Sequence, residues 1–489
     1  MIFSRDVETT RKQGSYQDIA DNLIVGLSRN RQNDLSMDNL LPSTEPVPRQ
    51  KPEISCDVTV IGGGLAGKAA SLQLARAGLN VTCIEPAEAI RQPVGESLDW
   101  SAPELLSALG LSMDDLISAQ MATWKRHVTV KLRDGTSAHY VPTAGLAGAP
   151  FHIELRTLHV DRLRLDRELL KMTIGSGVEV VRDKVVGVER NGGNISSVRT
   201  AGGARFSSPW FIDASGFATC LLAREFNLPA IHSGPAKVAM WNYFPVSESI
   251  EGTTLYLDPM PAEYLDWIWE IPVSPNMVSV GYIATGAAIR AKRDRGSSVE
   301  EIFRQQLMKF PRFERLLREA VLNPTNVTSF RSRVQIGVAG PNWLIAGEAA
   351  AMVDPITANG VTAALRHAAE ASSLILKYRS RGTLPFGARA SYSGRILQMA
   401  KFFNAGIENI VYEPPVRNRI GVSRSGTVYT SPAWSMNVVY ARMKPQGIVS
   451  TFLLGLFLGA FRASAWILYQ FCKRTDARAR SAGLNCLCC

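Results

Sequence analysis

The sequence predicts an α/β protein. A doubly wound, Rossmann-type dinucleotide-binding unit carries an interleaved β-rich lobe and ends in an apolar C-terminal helix. Three observations predict this. A strand, a GxGxxG turn, a helix and a second strand ending in an acid follow one another from Cys56 to Pro86. Two later segments, "ARFSSPWFIDASGF" and "NWLIAGEAAAMVDPITANGVTAAL", repeat the order of buried strand, glycine turn and helix. A 25-residue stretch, Gly447 to Phe471, carries one charge, Arg462.

The first unit is "CDVTVIGGGLAGKAASLQLARAGLNVTCIEP". Val58 to Ile61 reads as a buried strand. Gly62 allows a tight turn, Gly64 lets the backbone approach a pyrophosphate, and Gly67 lets the helix pack close to the strand. Leu65 and Ala66 open that helix, whose N–H groups and dipole face the phosphates. Glu85 ends the second strand, 23 residues beyond Gly62, where it can accept from a ribose hydroxyl. An acid there disfavours a 2′-phosphate, so FAD or NAD is expected.

In the later segments, Asp213 begins the turn after "WFID", and Gly347-Glu348 follows "NWLIA". A loop with Asp354-Pro355 leads to a helix starting near Asn359, Gly360 and Val361. The first glycine turn suits the ADP half of a dinucleotide. The last helix brings its N-terminus toward an isoalloxazine, where its dipole favours an anionic reduced ring.

Around this frame the chain is 46% hydrophobic and 20% charged, enough for a sizeable core. The formal net charge of +11 suits an anionic cofactor or membrane surface. No nucleic-acid module accompanies it, so no nucleic-acid partner is expected. The six histidines and seven cysteines show no metal-ligand spacing, so no metal is expected. Cys56, Cys83 and Cys220 lie in apolar runs, as reduced buried thiols do. The expected organisation is a mobile polar arm over 1–53 and an FAD domain with its lobe over 54–380. A helical region over 381–446, the apolar helix over 447–471 and a basic, Cys-rich tail over 472–489 follow. The apolar helix reads either as a buried core helix or as a membrane attachment on the cytoplasmic side. The basic flank "CKRTDARAR" suits an anionic leaflet, and the final "CLCC" an acyl group.

One motif is more particular. "WIWEIP", Trp267 to Pro272, places two indoles on one face of a strand, with the proline expected to end or edge it. Alone, the stretch reads as two rings closing a core. Taken with GxGxxG, "VGES" at Val94–Ser97, "FIDASGF" and "VDPITANG", it resembles the flavin-dependent halogenases of the tryptophan-halogenase type, within the glutathione-reductase-like FAD fold. The resemblance covers about residues 55–380.

The resemblance implies FAD as cofactor, a separate flavin reductase as partner, and oxidation of halide to hypohalous acid for delivery to an electron-rich ring. It places Trp267 and Trp269 near the flavin. Lys125, after Trp124, becomes the lysine that presents the halogen; the other reading is a surface strand lysine. Glu96 is implied at the flavin, and Asn359 and Gly360 supply halide-binding N–H groups; Arg156, where a strand enters a helix, reads either as a contact to the flavin edge or as a solvated arginine. Two departures matter. Thr357 stands where the tryptophan enzymes place a glutamate, and the apolar helix is foreign to those soluble enzymes. The first puts free tryptophan as substrate in doubt and leans toward the monooxygenase alternative; the second suggests a lipophilic, carrier-tethered or protein-borne aromatic substrate. The alternatives are a monooxygenase of the same family, an isoprenoid double-bond reductase, and a flavoprotein without turnover.

Overall fold

The computed structural model describes residues 53–481 apart from 87–92, 150–151, 248–249, 259–262, 320–323, 421–434, 437, 439 and 441–446. The N-terminal arm up to residue 52 and the tail cysteines Cys486, Cys488 and Cys489 lie outside the described residues.

Five parallel strands form the nucleotide-binding sheet. Their order is Trp343–Ile345, Trp210–Asp213, Val58–Ile61, Val81–Ile84 and Glu179–Val181. The first four are buried throughout. Helices cover both faces of such a sheet, which is why its strands read as unbroken apolar runs. Helix Leu65–Arg76 packs on helix Gly360–Tyr378, where Ser372 donates to the Ala70 carbonyl at 3.5 Å. Alanines on both helices permit this approach. The three expected glycine turns therefore meet at the carboxyl ends of neighbouring strands, where ligands bind in open α/β sheets.

The interleaved lobe is an eight-stranded sheet. Its order is Ala351–Met352, Asn326–Gln335, Ala230–Pro245, Met277–Thr285, Trp267–Ser274, Thr253–Leu257, Val128–Leu132 and Ser137–Tyr140. Neighbours pair antiparallel except for Thr253–Leu257 with Val128–Leu132. The "WIWEIP" strand is interior. Pro272 does not end it: the strand runs on to Ser274, with a register shift between Pro272 and Ser274. A bulge accommodates the missing N–H. A two-stranded ladder, Ala122–Lys125 with Thr157–Val160, carries Lys125 beneath this lobe.

After the FAD domain come helix Phe386–Ile407, a π-helical turn Glu408–Tyr412 and helix Pro414–Ile420. The apolar helix extends further than its hydropathy suggested, from Ile448 to Ser481, so the basic flank is helical as well.

Candidate active site

The nucleotide turn fits FAD by its shape. Gly62 has φ +101°, and a Cβ there would lie 2.4 Å from the Ala214 carbonyl oxygen. At Gly67 a Cβ would lie 1.8 Å from the Gly62 oxygen. At Gly64 it would meet nothing within 4 Å, because this glycine faces open space at the N-terminus of helix Leu65–Arg76. Two glycines are thus required by the fold and one leaves room for a ligand. Gly64→Val is expected to fold normally and to lose FAD affinity about a hundredfold, equivalent to ~3 kcal/mol. Flavin absorbance after gel filtration checks this, and an unchanged yellow protein would place the pyrophosphate elsewhere.

From that turn a cavity of about 450 Å³ runs into the β-rich lobe. Gly64, Leu65, Ala66, Glu96, Arg162, Gly347, Glu348, Gly360 and Val361 line its nucleotide side, and Lys125, Trp241, Trp267, Trp269 and Ile271 its lobe side. The expected lysine and tryptophan pair therefore share one space with the expected cofactor turns.

Lys125 is buried, not a surface lysine. Its ammonium donates to the Leu98 carbonyl at 2.8 Å and lies 4.5 Å from the centre of the Trp100 ring. Burial pushes its pKa down to about 7, partly offset by Asp99. Ammonium and amine are then both accessible near neutrality, unlike an ordinary lysine.

Trp267 and Trp269 lie side by side, with ring centres 5.8 Å apart. Each indole N–H is held from behind. Trp267 donates to the Tyr412 hydroxyl at 2.8 Å, and Trp269 to the Ser279 hydroxyl at 3.0 Å. Ser279 donates in turn to Glu96 Oε1 at 3.0 Å, which also accepts from the Tyr243 hydroxyl at 2.7 Å. Gly281 sits opposite Trp269 in register. A Cβ at Gly281 would stand 2.1 Å from the indole, so only glycine leaves the ring its place. Gly281→Ala is expected to cost about 1–3 kcal/mol by overpacking. Denaturant unfolding reads this, and a cost near zero would show that Trp269 has room to move.

Other expected residues fall both in and out of the cavity. Arg156 stacks on the exposed side over Trp124, 5.7 Å from its ring centre, and does not line the cavity. Arg162 lines it instead, donating to the Val94 carbonyl at 2.8 Å and facing Asp166. Asp213 is fully buried and serves its own turn, accepting from the N–H groups of Ser215 at 2.9 Å and Leu222 at 2.7 Å. Glu85 accepts from Gly63 N–H at 2.5 Å, beside the turn. Gly360 lines the cavity, while the buried Asn359 borders a smaller pocket with Arg366 and Glu370. Thr357 turns inward and donates to the Asp354 carbonyl at 2.8 Å.

A second polar cluster was not anticipated. Lys237 is buried and bonds Asp354 at 2.8 Å and Glu408 at 2.5 Å. Asp354 Oδ1 accepts from the Tyr412 hydroxyl at 2.9 Å and from Ile356 N–H at 3.1 Å. Tyr264 donates to Glu408 at 2.5 Å. The cluster thus ties the Trp267 indole to the loop before Gly360. Only Asp354 stood in a segment the sequence singled out; the others are scattered between Lys237 and Tyr412 and form no local pattern.

A dinucleotide turn of this shape opening into an apolar cavity defines an FAD-dependent oxidoreductase fold, and the FAD dependent oxidoreductase family model matches residues 57–227. The Tryptophan halogenase model matches residues 148–378. A tryptophan 2-halogenase of Chondromyces crocatus is 27% identical over 342 residues, 66% of this chain and 61% of that protein. A 1H-pyrrole-2-carbonyl-[peptidyl-carrier protein] chlorinase of Pseudomonas fluorescens is 24% identical, over 70% of this chain and 80% of its own length. The structure of a flavin-dependent brominase superposes with a TM-score of 0.61 at 21% identity, covering 80% of this chain and all of that one. The chain spans about three-fifths of the length of the first two curated relatives it matches.

Proposed function

We propose that the protein uses reduced FAD, oxygen and halide to halogenate an electron-rich aromatic ring. The observation that carries this reading is the single cavity shared by the Gly64 turn, the Gly360 loop, Lys125 and the paired indoles. Bound FAD supplies the oxygen-derived oxidising equivalents that turn halide into hypohalous acid.

The chain's own residues do the rest. The Gly64 turn and the helix N-terminus beside Gly360 hold the two ends of the cofactor. Backbone N–H groups near Gly360 are donors suited to a halide. Trp267, Trp269, Trp241 and Ile271 make the lobe side of the cavity apolar, which slows hydrolytic loss of a reactive halogen. The Lys125 ammonium donates to the oxygen of hypohalous acid. As the ring carbon bonds the halogen, that oxygen leaves as water, and the displaced ring proton restores the balance. The inward turn of Thr357 leaves the loop without the acid of the tryptophan enzymes, so the substrate is an aromatic other than free tryptophan. The carrier-bound pyrrole of the Pseudomonas relative is one pattern for it. A separate reductase supplies the reduced FAD.

The test is turnover with chemically reduced FAD, bromide and indole as probe, in air and under nitrogen. Product in air alone supports an oxygen-dependent oxidant. Product under nitrogen, heavier by two hydrogens, would instead identify a double-bond reductase.

A further inference from the structure

The apolar helix Ile448–Ser481 poses a geometric question. Its segment Ile448–Thr475 contains an 18-residue window with a mean hydropathy of 1.7 and is about 42 Å long, enough to cross a bilayer. Yet it is docked along its length. Gly387 meets Ile448, Gly394 meets Thr451, and Gly455 meets Gln398, all between this helix and Phe386–Ile407. Phe461 packs edge-on against Phe402, and Arg419 stacks on Phe471 and donates to Thr475. The buried residues Thr451, Leu458, Ala465 and Cys472 recur every seven positions, forming one narrow seam.

Outside that seam, most of the side chains up to Phe471 are apolar and exposed. Phe452, Leu456, Trp466 and Ile467 are each more than half exposed. So many large apolar side chains on one face exceed the scattered few of an ordinary surface. Arg462, the one charge of the stretch, falls on the seam side, four residues after Leu458 and three before Ala465, and is partly buried. The outward face is therefore free of charge. At its far end Arg419, Lys473 and Arg474 are exposed.

We propose that this helix lies in the plane of one membrane leaflet and anchors the protein without spanning the bilayer. Helix Phe386–Ile407, on which this helix packs, belongs to the body of the fold: it carries Arg395 in a salt bridge with Glu370 and Tyr392 bonded to the Ile345 carbonyl of the nucleotide sheet. A spanning arrangement would draw that body into hydrocarbon or strip the docked seam. An in-plane arrangement keeps the seam, buries the outward face among acyl chains, and sets the Arg419, Lys473 and Arg474 cluster against anionic headgroups.

The experiment uses the full-length holoprotein and vesicles of phosphatidylcholine, with and without phosphatidylglycerol. Co-flotation is expected, stronger with the anionic lipid. The quadruple variant of Phe452, Leu456, Trp466 and Ile467 to Ser changes only exposed positions, so it should keep its FAD spectrum. Its vesicle-bound fraction should fall about tenfold or more. In sealed membrane vesicles, epitopes added at both ends should be open to protease from the same side. Opposite sides would show a spanning helix and overturn the proposal. Unchanged flotation of the quadruple variant would overturn it in favour of the tail. A protein that ignores vesicles but dimerises through this face would overturn it in favour of a second copy. Loss of FAD is read separately by absorbance, so failure of the flavoprotein reading is not confused with failure of the anchor.

Discussion

Lys125→Met is expected to lower halogenated product by a hundredfold or more, about 3 kcal/mol of transition-state stabilisation, while reduced FAD still reoxidises at the wild-type rate. Lys125 lines the same cavity as the indoles, and in the proposed function it acts on what leaves the flavin and not on the flavin itself. Peroxide should replace product. Slowed reoxidation would instead put Lys125 against the isoalloxazine and favour an ordinary monooxygenase. The same substitution makes a stability prediction of opposite sign. The lysine titrates near 7 when folded and near 10.5 when unfolded. Between those values the unfolded chain holds more protons, so this group makes stability rise with pH, and its penalty is fully present below 7. Methionine keeps the apolar stem and most of the volume. The Met variant without FAD should therefore be more stable at pH 6 by on the order of a few kcal/mol, and the gap should close toward pH 10. Urea melts across that range check it.

Lys237→Met is expected to cost about 3–5 kcal/mol, the penalty of leaving buried carboxylates without their counter-charge. Asp354 and Glu408 both bond this ammonium, and burial already holds Glu408 above the usual carboxylate range, with Lys237 opposing it. The loss should spread to the site, since Asp354 positions Tyr412 and Tyr412 positions Trp267. Equilibrium unfolding measures the cost. A loss under about 1 kcal/mol would mean that the cluster is open to solvent.

The nucleotide half of this site was legible in the sequence because its constraints are local. A tight turn, a close approach and a buried strand each dictate a residue type within a few positions, as at Gly62, Gly67 and Val58–Ile61. Trp267 and Trp269 were legible as a pair because strand alternation puts them on one face. Roles set by distant partners were not legible. Arg156 and Arg162 are six residues apart on the same stretch, and only the course of the chain past Val94 decides which one faces the cavity. Asp213 sits at the expected strand end, but two backbone N–H groups occupy its carboxylate. Asn359 precedes a helix, and it borders the small pocket instead of the cavity. Lys237, Glu408 and Tyr412 meet only through the tertiary fold. The apolar helix showed its length in sequence, but not which quarter of its surface was docked.

The central claim is that this cavity turns halide into a carbon–halogen bond. The most direct measurement is the mass of the product made from indole by wild-type protein with reduced FAD and oxygen, in bromide, in chloride and without halide. The account predicts a bromine isotope doublet in bromide, a chlorine pattern in chloride, and no modified ring without halide. A product one oxygen heavier, formed equally in all three, would contradict it and make the protein a hydroxylase.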